Sequence, residues 1–133
     1  MTHRLQPGFA RDAITVVVDW PASQCALARI RRGDGSGAPD VAERFELYLG
    51  PLELANGYHE LTDASEQRWR FKRDLAIRAE RGAAAPPIDE ALLTALPSMP
   101  ACAGVALGVD RLLMALLDTG RIADVLAYDF ARA

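Results

Sequence analysis

The apolar and polar positions sort this chain into strand-like and helix-like stretches. Ile14 to Trp20 is a β-branched, apolar run stopped by Pro21, which predicts a strand. Residues 21–30 carry no clear period. Arg31 to Asp40, RRGDGSGAPD, is rich in glycine and charge and predicts a flexible loop. From Arg44 to Leu49 the order Arg, Phe, Glu, Leu, Tyr, Leu has the period of two of a half-buried strand. Gly50-Pro51 supplies a turn, and Leu52 to Glu60 is expected to return as the second strand of a hairpin.

Beyond residue 60 the pattern changes. Asp63-Ala64-Ser65-Glu66 predicts a helix start, with Asp63 as cap and Glu66 reaching back in a capping box. The helix is expected to run to about Arg81, with Ala64, Gln67, Phe71 and Leu75 on one face and a solvated face of Arg and Glu on the other. Gly82 stops it, and AAAPP reads as a linker. Ile88 to Leu96 predicts a short helix, and Pro97 and Pro100 bracket a loop. A small-residue strand at 103–108 leads into an apolar helix, Leu112 to Leu117, and a last short segment lies near Val125 to Tyr128. Strands followed by helices, with a hairpin and no βαβ rhythm, predict an α+β fold in a single domain, an antiparallel sheet flanked by helices.

Composition adds boundaries. At 133 residues the chain is long enough to bury about 65–70% of its unfolded surface. The net charge of −3 argues against a grip on tRNA or other nucleic acid that depends on overall basicity. Cys25 and Cys102 form no C-x-x-C pair, so a disulfide framework is not expected and a reducing cytoplasm fits. These cysteines with His3 and His59 lack zinc-site spacing. The first residues have no apolar core, so no signal peptide is expected. Asp110 and Arg111 break the apolar run near 101–117, which argues against a membrane span.

Two places carry candidate chemistry. In GVALGVDR, residues 104–111, Asp110 and Arg111 stand where a glycine-bearing strand meets a helix. Glycines there let a ligand approach the backbone, and an arginine suits polyphosphate because its bonds to phosphate are strong and directional. A surface Asp–Arg pair ahead of a core helix would give the same string. The hairpin is the second place. Pairing about Gly50-Pro51 is expected to set Leu49 opposite Leu52, Tyr48 opposite Glu53 and Glu46 opposite Ala55, so that Glu46 and Glu53 share a sheet face. Two neighbouring carboxylates suit Mg²⁺ with a phosphate ligand, although solvated glutamates would satisfy the same pattern. Asn56, Tyr58 and Glu60 fall on the opposite phase from Glu53 in a regular strand.

Taken together, RFELYLGPLELANGYHELTDASEQRWRF at 44–71 and CAGVALGVDRLLM at 102–114, with DWPASQCALA at 19–28, resemble the C-terminal half of a class II aminoacyl-tRNA synthetase catalytic domain of the lysyl type. Within that family the likeness is closer to the synthetase-like ligases that attach β-lysine to elongation factor P. GVALGVDR is similar to motif 3 of the family. The resemblance implies ATP and Mg²⁺ as cofactors, contacted by Glu46 and Glu53, and Arg111 on the terminal phosphate of ATP. It also implies Asn56 and Glu60 as binders of lysine or β-lysine, Glu60 meeting the side-chain ammonium, with Tyr58 as an aromatic of that pocket. Ala106 stands where lysyl-tRNA synthetases carry glycine, which favours the ligase over a fragment of lysyl-tRNA synthetase. Motifs 1 and 2 of the family are expected to be absent, leaving an incomplete catalytic domain that lacks adenylation activity alone. A non-catalytic remnant acting by binding or dimerisation is the reading from another class. Self-association through open sheet edges or an uncovered apolar face is expected.

The implied pocket makes one structural demand. For Glu53, Asn56 and Glu60 to line one site, the second hairpin strand must carry an extra residue. A β-bulge at Ala55 is the expected device, with Gly57 the alternative.

Overall fold

The computed structural model describes residues 4–129. Five strands form one sheet: β1 (Ile14–Pro21), β2 (Ile30–Arg31), β3 (Val41–Leu49), β4 (Leu52–His59) and β5 (Ala103–Leu107). The order is β1-β3-β4-β5, every pair antiparallel, and β2 pairs with the start of β3. Among the described residues three α-helices follow or flank it: α1 (Ala64–Glu80), α2 (Glu90–Ala95) and α3 (Val109–Leu116). This is the α+β antiparallel architecture that the periodicity predicts. No helix among the described residues is long and apolar enough to cross a membrane.

The hairpin departs from the expected register in one respect. Leu49 pairs with Leu52 and Tyr48 with Glu53, but Leu47 then pairs with Ala55. Leu54 is therefore the extra residue, and Glu46 faces Asn56 rather than Ala55. A bulge exists, one residue earlier than the expected Ala55. Leu54 is buried, and its carbonyl accepts from Gly108 N at 2.8 Å, which pins the bulge to the junction between β5 and α3. Gly57 serves a different need: a Cβ there would lie 2.4 Å from the Phe45 ring.

Asp63 caps α1, its carboxylate accepting from Ser65 N at 2.8 Å and Glu66 N at 3.0 Å. Glu66 does not complete the capping box; it turns along the helix to pair with Arg70. Arg70, expected on the solvated face, is 2% exposed. Its guanidinium donates to the carbonyls of Ala26 at 2.9 Å and Ala28 at 2.8 Å. That clamp holds residues 21–30, whose sequence has no period because they form a 3-10 turn (Ala22–Gln24), a tight turn and an isolated bridge from Ala28 to Glu60. Ala28 belongs to a small core with Trp20, Cys25 and Ala42, against which Val17, Ile30 and Tyr58 pack.

Two helix ends shift. Asp89 caps α2 by accepting from Leu92 N at 2.9 Å, so the helix starts at Glu90 and tightens into a 3-10 turn over Leu96–Ser98. α3 starts at Val109, before the apolar run, which places Asp110 and Arg111 inside its first turn. Ile122–Asp124 form a 3-10 turn, and the segment at 125–128 holds no helix or strand.

Candidate active site

Because paired residues in a sheet share a face, the bulge decides what this face contains. On β3, Arg44, Glu46 and Tyr48 are in phase. On β4, Glu53 pairs with Tyr48, and beyond Leu54 the residues Asn56 and Tyr58 pair with Glu46 and Arg44. On β5, Ala106 pairs with Asn56 and Gly104 with Tyr58. Without the extra residue, Asn56 and Tyr58 would point away from Glu46 and Glu53.

The centre of the face is an ion-pair network. Arg44 Nη2 donates to Glu46 Oε1 and to Asn56 Oδ1 at 3.3 Å, and Nη1 donates to the Gln24 carbonyl at 3.1 Å. Its guanidinium stacks 4.4 Å from the Trp20 ring centroid and 5.4 Å from that of Tyr58, each ring offering its electron-rich face to the cation. The Arg44 and Glu46 side chains are 10% and 11% exposed. Tyr48 donates its hydroxyl to the other Glu46 oxygen. Burial, and then the Glu46 carboxylate, push the Tyr48 phenol well above its usual pKa, so it stays a donor. Asn56 Nδ2 donates to the Tyr58 hydroxyl at 2.9 Å. Among the described residues, Trp20 Nε1 and Arg44 Nε are the buried side-chain nitrogens without a hydrogen-bond partner, and both belong to this stack.

A second group lies at the α3 end. Arg111 Nη1 donates to the Glu53 carbonyl at 2.9 Å and lies 3.6 Å from Glu53 Oε2. The Glu53 side chain is 34% exposed and Arg111 49% exposed, so both remain open to a ligand. A third element is Glu60. Its backbone is fixed by the bridge to Ala28 and by donation from its N to the Cys102 carbonyl at 3.0 Å. Its carboxylate lies over Gly104: a Cβ on that residue would stand 2.6 Å from Glu60 Oε1.

The structure thus places Glu46, Asn56 and Tyr58 in one network, Glu53 beside Arg111, and Glu60 and Ala106 on the same face. The two carboxylates paired in the sequence reading differ in state. Glu46 has an oxygen on Arg44 and an oxygen on Tyr48, whereas Glu53 is open. Of the two carboxylates, Glu53 is the one left partly exposed, beside the Arg111 guanidinium. Arg44 is the residue that the sequence reading passed over. Its signal was its phase: a long cation two residues before Glu46 on a half-buried strand must share the buried face.

Residues 4–132 match the family model for class II tRNA synthetases (D, K and N), and the chain belongs to that family. Among individual proteins it is similar to the elongation factor P–(R)-β-lysine ligase of Pectobacterium atrosepticum, at 49% identity over 133 residues, and to that of Salmonella arizonae, at 50%. The corresponding ligase of Salmonella gallinarum is 48% identical over 134 residues. These alignments cover 99–100% of this chain and 40% of each relative, so the chain spans about two-fifths of the length of the ligases it matches.

Proposed function

We propose that this chain supplies the motif 3 half of an ATP-dependent ligase site, which adenylates lysine or β-lysine and passes it to elongation factor P. The observation that carries the reading is the bulge at Leu54, since it brings Glu53, Asn56, Tyr58 and Glu60 onto one face with Ala106 and with Arg111 at its end. In this reading the amino acid's carboxylate attacks the α-phosphate of ATP, giving acyl-adenylate and pyrophosphate. The amine of the acceptor then displaces AMP. Mg²⁺, when bound with ATP, neutralises phosphate charge. Arg111 holds the terminal phosphate, and Glu53 takes the metal–phosphate unit. Glu46 acts by fixing Arg44, which in turn donates to Asn56, and by accepting from Tyr48. Asn56 and Tyr58 orient the amino acid, Ala106 shortens the pocket floor by a methyl group, and Glu60 faces the ammonium. Positioning and charge neutralisation are what this chemistry requires. Ala106 and the names of the relatives favour the elongation factor P ligase over a lysyl-tRNA synthetase fragment. A cytoplasmic site of action follows from that acceptor.

The test is exchange of labelled pyrophosphate into ATP. The purified chain is expected to show none, because it spans only about two-fifths of the length of the ligases it matches. Co-expression with the remaining portion of a relative is expected to restore exchange that depends on lysine or β-lysine, and Glu60→Gln in that pair should raise the amino-acid requirement. A restored pair that ignores Glu60→Gln would remove the assigned role.

A partner role accompanies this reading. On the opposite face of the sheet, Val16, Leu47, Ala55 and Leu107 form one cross-strand row, and Val18, Phe45, Gly57 and Val105 the next. The edge residues are open, from 49% exposed for Leu107 to 66% for Ile14. An apolar face four strands wide whose outer strands are about half or more exposed is the kind of surface that marks an interaction site, and two sheet faces can stack as a sandwich. We propose that a second copy of the chain covers it.

A further inference from the structure

The face of α1 expected to be solvated carries Trp69, which is 59% exposed. Tryptophans in folded proteins are on average well buried, and Trp69 opens beside a cavity of about 420 Å³. Buried Cys25 and part-buried Ile30 line this cavity from one side, Trp69 and Arg73 from α1, and Arg32 from just beyond β2. The two sides are fixed to each other, because Arg70 reaches from α1 to the carbonyls of Ala26 and Ala28. One turn along the helix from Trp69, the Arg73 guanidinium stands 5.1 Å from its ring centroid. Charge is segregated here: α1 holds five basic residues against three acidic ones, in a chain of net charge −3. Arg70 and Glu66 answer each other, which leaves Arg32 and Arg73 as the cations of the rim. Their own ion pairs stand open to water, Arg32 with Asp40 and Arg73 with Asp74 at 3.4 Å, and pairs of that kind contribute little and exchange.

We propose that this cavity docks an acidic segment of a protein partner. One aliphatic side chain of that segment enters between Trp69 and Ile30, and flanking carboxylates take Arg32 and Arg73. The guanidinium fork matches a carboxylate with two parallel bonds, which gives the contact direction as well as charge. Tryptophan and arginine beside a cavity are the residues that dominate binding energy at protein interfaces. The Arg70 clamp holds both walls before any partner arrives, so little ordering is lost on docking. A nucleic-acid strand fits less well. The cavity admits a side chain past Trp69 toward Cys25 and Ile30, and a polyphosphate backbone would run along a chain of net negative charge. None of these residues belongs to the candidate active site, so the proposal stands or falls apart from the ligase reading. The two places still share a neighbour: the segment lining the cavity includes Gln24, whose carbonyl accepts from Arg44.

The test is fluorescence anisotropy with a labelled dodecapeptide of glutamates carrying two central leucines. It is expected to bind saturably, and the same peptide with lysines for glutamates at least tenfold more weakly. Serines in place of the leucines should weaken it at least fivefold. Arg32→Ser with Arg73→Ser should lose at least tenfold and Trp69→Ala at least fivefold, each variant keeping the unfolding midpoint of the wild type. The chain has two tryptophans, so the indole N–H resonance of Trp69 reports on the cavity and that of buried Trp20 serves as control. The glutamate peptide should shift Trp69 and leave Trp20 in place. No saturation by that peptide, equal binding of its lysine counterpart, or an indifferent double variant would each overturn the proposal. Tighter binding of oligouridylate than of the peptide would overturn it in favour of RNA. A Trp69 resonance that moves with protein concentration alone would overturn it in favour of a second copy.

Discussion

The two faces of the sheet invert the usual arrangement of a small protein. The face bearing Arg44, Glu46, Tyr48 and Asn56 is polar and largely buried, shielded by the 22–28 segment and by Phe9, whose ring stands edge-on to Tyr48 at 5.1 Å between centroids. The face bearing Ile14, Val16, Val18, Val105 and Leu107 is apolar and open. Charge is hidden and hydrocarbon is shown. The buried charges survive because each is answered: Arg44 by Glu46, two carbonyl-type oxygens and two rings, and Glu46 by Arg44 and Tyr48. The open hydrocarbon has no such answer within this chain. The polar face is therefore self-sufficient, and the apolar face defines what the chain must meet.

The strongest way to break the comparison is to unbalance the polar face. Glu46→Ala leaves the Arg44 guanidinium buried without its carboxylate, and removing one partner of a buried pair costs about 3–5 kcal/mol. A domain with about 5–15 kcal/mol of total stability loses a large share of it. Urea unfolding followed by tryptophan fluorescence should show the midpoint falling accordingly. Replacing both members, with Arg44→Met and Glu46→Leu, should cost far less, because neither change leaves a charge stranded. Equal losses for the single and double variants would mean that packing, rather than charge balance, holds this face.

A smaller effect is expected at Tyr48. Its hydroxyl donates to a carboxylate, a bond worth about 1.5–3 kcal/mol, and Tyr48→Phe should lose on that order. The pH dependence follows from the raised phenol pKa. In the unfolded chain tyrosine ionises near pH 10, while in the fold burial and Glu46 hold the proton on. Above about pH 10 the unfolded state thus binds fewer protons than the native state, and stability falls as pH rises. Below that pH the contribution is fully present. Denaturation measured from pH 8 to 11 should show a steeper alkaline loss for the wild type than for Tyr48→Phe; parallel curves would mean that the phenol is not held protonated.

How far the sequence discloses this arrangement differs by element. The hairpin strands, the Asp63 cap and the α+β architecture follow from period, turn chemistry and capping, all local signals. The bulge is not local. Nothing in LELANGYHE singles out Leu54, because its position depends on the carbonyl meeting Gly108 some fifty residues later. Its existence was legible only through the roles that the family resemblance implies for Glu53, Asn56 and Glu60. Arg70 was misread for a related reason. An arginine among Arg and Glu on a helix is ordinarily solvated, and only the turn at Ala26 and Ala28, brought against α1 by the fold, makes it a buried donor. Arg44 and Glu46 were legible as in-phase residues, but charge at both positions disguised how deeply that face is covered.

The least disruptive substitutions test the apolar face. Val18 and Val105 sit at opposite ends of one cross-strand row, and both are more than half exposed. Val18→Lys with Val105→Lys should change monomer stability by no more than about 0.5 kcal/mol per site, since exposed positions without special roles tolerate exchange. If a second copy covers this face, the same pair of lysines must be desolvated on association and should weaken it at least tenfold, about 1.4 kcal/mol. Sedimentation velocity over a concentration series separates the contributions: the wild type is expected to associate and the double variant to remain a monomer with an unchanged unfolding midpoint. A monomeric wild type would refute self-association outright. Association that survives the lysines but is lost when Thr15→Pro interrupts β1 would move the contact from the face to the open edge, where unpaired N–H and C=O groups recruit another strand. The face alone predicts sensitivity at β1 and β5 together, because one row joins them; the edge predicts sensitivity at one strand and indifference at the other.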